Sequence, residues 1–190
     1  MLPENLKYDK AKPVFNKRVA GFFIKLFALF SIWFVCYALI LRPGRIIDRP
    51  ITNFITASVV KCINFLSPST PAISWVDARD LERAYLVQNG HRVFGVFDVC
   101  NGIDLMFIYV GIIMLLPYPF KRKIIFSIAG VIAIILANII RVCSLYFIYV
   151  YQRSAFDFSH HYLFSILMYV LIFYGWLLFI KKGKLNEKSS

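Results

Sequence analysis

Along this 190-residue chain, long apolar runs alternate with short polar breaks, and the runs have the length of membrane-crossing helices. Val19 to Leu41 is apolar except for Lys25, enough to cross a hydrocarbon core of about 30 Å at 1.5 Å per residue. It is longer than the apolar part of a signal peptide and ends in Leu-Arg-Pro-Gly-Arg rather than a small-residue cleavage site, so it is expected to be retained. Ile103 to Phe120 gives a second span, closed by Pro117, Pro119 and the basic turn Lys121-Arg122-Lys123. Residues 124–151 form a third, interrupted by Arg141, and residues 162–180 a fourth. The pattern predicts an all-α integral membrane bundle of about four transmembrane helices forming one domain, with no internal repeat.

The 42–102 segment between the first two spans has its own pattern. Ile55, Val59, Cys62, Ile63 and Leu66 recur at helical spacing, which predicts a short amphipathic helix that lies on the membrane interface or, on the plainer reading, packs as a lid. Ala84–Val87 and Arg92–Val96 flank Asn89-Gly90, a dipeptide suited to a tight hairpin because both residues accept positive φ. This small extracytoplasmic β-hairpin leads the chain directly to Cys100.

Composition agrees with a lipid solvent: 59% of residues are hydrophobic and 17% charged. The net charge of +12 sits at the ends of the apolar runs, which favours orientation in a bilayer over nucleic-acid binding. The tail 1–18, the turn 121–123 and the tail 181–190 together hold twelve Lys and Arg against three acids, whereas 42–102 and 152–161 hold eight against six. Lysine and arginine favour the cytoplasmic side, so both tails are expected inside and the 42–102 and 152–161 segments outside an inner membrane.

That orientation brings three complementary groups to one depth on the outer side: Cys100 before the second span, Arg141 toward the outer end of the third, and His160-His161 before the fourth. Asn138, Ala137, Ile134, Gly130 and Ser127 share the helical stripe of Arg141, a small and polar face that turns the arginine inward. The stripe of His161 continues through Ser165, Met168, Ile172 and Gly175, so His161 is expected to face the bundle and His160 to face away. Ile139, Leu136 and Ile132 behind Cys143 form a bulky, lipid-facing row, which makes Cys143 structural. Asp104 has two readings: it orients Arg141 or a histidine, or it serves as the acid of an N-cap begun by Asn101.

The chemistry this trio permits is attack on a carbonyl. A thiolate near a helix N-terminus and a cation is activated, histidine accepts and returns its proton, and the permanently charged guanidinium steadies an oxyanion. No metal and no cofactor is expected, since no metalloprotease or serine-hydrolase motif occurs and the adjacent histidines lack an evident third ligand. A non-enzymatic membrane subunit or small transporter is the competing class, in which Arg141 and Asp104 would form a buried polar lock.

Cys100-Asn101-Gly102, Asn138-Ile139-Ile140-Arg141 and His160-His161 resemble, in order and spacing, the Cys-x-Gly, Asn-x-x-Arg and His pattern of the exosortase/archaeosortase membrane cysteine transpeptidases. The resemblance covers roughly residues 84 to 180. It implies Cys100 as nucleophile, Arg141 as transition-state stabiliser and His161 or His160 as acid/base; Asn138 and Gly102, within the same motifs, and Asp104, by its place at the start of the second span, are read as supporting residues. It also implies protein substrates carrying a C-terminal motif, a transmembrane helix and a basic tail. The chain departs from larger family members in having about four spans rather than around eight.

Overall fold

The computed structural model describes residues 17–76 and 83–187. It is mostly helical, with a small antiparallel sheet at one end. Helix α1 (Lys17–Cys36) passes through a wider turn at Tyr37–Leu41 and stops at Gly44, where Arg45 adopts a left-handed conformation. Helix α2 (Asp48–Leu66) follows, then strands β1 (Ala72–Trp75), β2 (Arg83–Gln88) and β3 (His91–Phe97). The bundle is completed by α3 (Ile103–Leu115), α4 (Phe120–Tyr151) and α5 (Phe164–Glu187).

Among the described residues three stretches are long and apolar enough to cross a membrane: Val19–Gly44, Phe120–Tyr151 and Arg153–Lys181. The span expected over 103–120 is helical for 13 residues, about 20 Å, because Pro117 and Pro119 end the helix early. The basic turn expected at 121–123 is the first turn of α4. There Lys123 donates to the Met114 carbonyl at 2.8 Å, at the C-terminal end of α3, and Arg122 to the Phe179 carbonyl within α5, so these cations tie α4 to both neighbouring helices. Most of the tail expected at 1–18 lies outside the described residues, whereas that at 181–190 continues α5 to Glu187.

The hairpin turns at Asn89 and Gly90, both at positive φ, as the dipeptide predicted. The sheet nevertheless has three strands in the order β1-β2-β3, not two. β1 is only four residues long and emerges from Ser67-Pro68-Ser69-Thr70-Pro71, so no alternation announces it. Asn64 fixes it to α2 by bonding both the amide and the carbonyl of Ala72.

Most of the apolar stripe of α2 packs as a lid on protein, while Leu66 at its end stays exposed. Ile55, Val59 and Ile63 are fully buried against Leu86 and Val96 of the sheet and Val142 and Tyr146 of α4. A second core, built on Tyr109, Ile113, Ile134, Met168 and Ile172, joins α3, α4 and α5. Helix α4 spans both cores, and the candidate site lies where they meet.

Candidate active site

The Cys100 loop is shaped by its neighbours. Asp98–Cys100 makes one tight helical turn, Gly102 takes φ +82°, and α3 begins at Ile103. Glycine enters that left-handed conformation at no steric cost, which suits the glycine two residues after the cysteine. Asn101 folds its Oδ1 back to accept from the Ile103 amide at 2.9 Å, capping α3.

Asn138, fully buried on α4, donates from Nδ2 to the Cys100 carbonyl at 2.9 Å. The inward stripe read from the sequence holds, with Ser127, Ile134 and Asn138 all buried. Arg141, one turn further along, lines a cavity of about 120 Å³ together with Cys100, His160, Phe94, Phe97 and Phe156. Its Nε is buried and has no hydrogen-bond partner.

His160, not His161, reaches the thiol: its Nε2 lies 3.7 Å from the Cys100 Sγ. His161 is exposed and meets His160 only edge to face. The helical stripe misplaced the pair because Ser159–Leu163 forms a wider π turn. That turn takes one more residue than an α turn, so the inward face occupied by Met168 and Ile172 continues back to His160 rather than His161. Phe156 stacks on the His160 ring at 5.7 Å and helps hold its plane.

Asp104 is exposed in the first turn of α3, where it suits the helix dipole. No ion pair joins it to Arg141, so the polar lock does not form. Cys143 is buried rather than lipid-facing, because α2 covers the outer end of its row while Ile132 and Leu136 below remain exposed.

The residues missed from the sequence are those that hold the Cys100 loop from the other side. Arg45 grips Asp98 through two hydrogen bonds of 2.5 and 2.6 Å, and Thr52 donates to the same carboxylate at 2.7 Å. Asn101 Nδ2 donates at 2.8 Å to Asp48, a carboxylate only 1% exposed that also receives the Tyr37 hydroxyl. The signal was available: acids beside apolar runs need buried partners. Asp98→Ala is expected to lower stability by about 3 kcal/mol by stranding Arg45, and Asp98→Asn by less. Unfolding in mixed detergent micelles measures both, and equal stabilities for all three proteins would show that the pair holds nothing.

Electrostatics around the thiol are opposed. Burial pushes the Cys100 thiol above its ordinary range, while the Arg141 charge pulls it back less strongly. The resting group is therefore a thiol at neutral pH, and attack requires a base to take its proton.

Fold and site together describe a multi-helix membrane protein with a cysteine, a histidine and an arginine converging on one small cavity. The sequence model of the transmembrane exosortases (EpsH) matches residues 19–181, and the chain belongs to that family. Members are membrane proteases or transpeptidases that process C-terminal sorting signals of the PEP-CTERM kind. Comparison with curated proteins and with solved structures returns no match.

Proposed function

We propose that this protein is a cysteine peptidase or transpeptidase that cuts the C-terminal sorting signal of membrane-anchored precursors at the outer face of a bacterial inner membrane. In this reading the chain crosses the membrane four times, with α3 as the short second span and both termini in the cytoplasm. The observation that carries it is the shared cavity: a thiol 3.7 Å from an imidazole nitrogen, beside a guanidinium whose buried Nε is unpartnered. An unpaired buried donor is costly unless a ligand supplies its acceptor, and an oxyanion is such an acceptor.

His160 Nε2 takes the Cys100 proton, and the thiolate attacks the scissile carbonyl carbon. As the C–S bond forms, the carbonyl oxygen gains charge and is steadied by Arg141. Collapse breaks the C–N bond, His160 returns the proton to the departing amine, and a thioester remains on Cys100. His160 then deprotonates the incoming nucleophile that resolves it. Asn138, Asn101 and Gly102 act through the backbone of the Cys100 loop, as positioning residues.

A precursor-derived thioester should therefore be recoverable on the protein. Rapid acid quenching of membranes processing a native precursor, followed by peptide mass measurement, is expected to find the acyl group on Cys100. Cys36→Ala should leave that adduct in place and Cys100→Ala should remove it. An adduct on another residue, or full processing without Cys100, would sink the proposal.

A further inference from the structure

Two thiols outside the site face each other. Cys62 on α2 and Cys143 on α4 are 81 positions apart in sequence, yet their sulfurs approach to 3.4 Å. Cys143 is buried and Cys62 half-buried, within the core formed by α2, the sheet and the outer end of α4. We propose that Cys62 and Cys143 are joined by a disulfide in the mature membrane protein, clamping α2 to α4.

The two Sγ atoms are already in contact at 3.4 Å, and a disulfide requires them to close to about 2.05 Å. The compartment is also suitable, for in the topology proposed above both cysteines lie toward the outer side, where thiols are oxidised. This inference rests on that topology but not on the peptidase chemistry.

The oxidant is a disulfide-donor protein of the outer compartment. The more accessible Cys62, as thiolate, attacks one donor sulfur and releases the first donor thiolate. Cys143, as thiolate, then attacks the Cys62 sulfur of the mixed disulfide and releases the second. The chain loses two protons and two electrons, and the donor ends as a dithiol.

What the clamp joins gives it meaning. Helix α2 carries Asp48 and Thr52, which hold Asn101 and Asp98 on either side of Cys100. Helix α4 carries Asn138, which holds the Cys100 carbonyl, and Arg141 of the cavity. A covalent link between α2 and α4 thus fixes the two supports of the nucleophile loop to each other.

The test is a two-stage thiol count on the full-length protein in its own cells. Lysis into denaturant with N-ethylmaleimide tags free thiols, and reduction followed by an isotopically heavy maleimide tags those released from disulfides. Cys62 and Cys143 are expected to carry the heavy tag in nearly all chains. The light tag on both overturns the clamp, and so does a heavy tag persisting on Cys143 in Cys62→Ser, since its partner would then be another thiol. A Ser69→Cys reporter on the exposed end of α2's loop separates the two ideas. If a membrane-impermeant maleimide labels it on intact cells while Cys62 and Cys143 carry the light tag, the clamp fails and the topology stands. Protection of the reporter until lysis overturns the topology and the clamp with it.

Discussion

Replacing Arg141 with lysine is expected to slow precursor processing by about 100- to 1,000-fold, although the charge is kept. The guanidinium lines the cavity shared by Cys100 and His160, and its buried Nε lacks any acceptor. A planar fork can hold an oxyanion through directed hydrogen bonds while its stem stays packed. An ammonium on a flexible stem offers charge without that direction and is more strongly hydrated. The measurement is the ratio of cut to uncut precursor over time, at matched levels of enzyme in the membrane. A defect of only a few fold would mean that Arg141 provides charge or packing rather than a transition-state contact.

His160→Ala should cost a further-reaching loss of about 100- to 10,000-fold, as expected for a general acid–base, while His161→Ala should keep most activity. The assignment follows from position: His160 reaches the thiol and His161 is exposed. The thiol adds a pH signature. Burial raises the Cys100 pKa above its ordinary value, so without a neighbouring base little thiolate exists at neutral pH. Alkylation of Cys100 by a small reagent should therefore slow at neutral pH in His160→Ala and recover as pH rises through the raised thiol value. A shallow pH profile in His160→Ala, or greater damage from His161→Ala, would reverse the assignment.

What the sequence made legible followed from period and order. The apolar runs located the long helices, Asn89-Gly90 located the hairpin turn, and the stripe through Ser127, Ile134 and Asn138 turned α4 correctly. The failures have physical causes of two kinds. His161 was preferred because a stripe assumes a constant turn, and the π turn at Ser159–Leu163 breaks that assumption without any compositional mark. The lipid-facing reading of Cys143 and the open choice between interface and packing lid for α2 share another cause. Periodicity shows that a face is apolar but not whether lipid or protein covers it, and here α2, α4 and the sheet cover one another. The Arg45–Asp98 and Asn101–Asp48 contacts join residues 53 positions apart in each case, beyond the reach of any local pattern.

Helix α4 has 32 residues, about 48 Å of unbroken rod against a hydrocarbon core of about 30 Å. Its inner end is tied to α3 and α5 through Lys123 and Arg122, and its outer end is packed into the sheet core through Tyr146. Arg141 stands 21 residues above Phe120, about 32 Å along the axis. In the proposed topology the rod therefore acts as a gauge, setting the cutting height at roughly one hydrocarbon thickness above the cytoplasmic boundary. On the proposed function, a precursor held by its own helix and basic tail would be measured against it. Its scissile bond meets Cys100 only when the anchor has the matching length, so selection by span length would accompany selection by motif, and lengthening the anchor by a turn should displace the bond by about 5 Å.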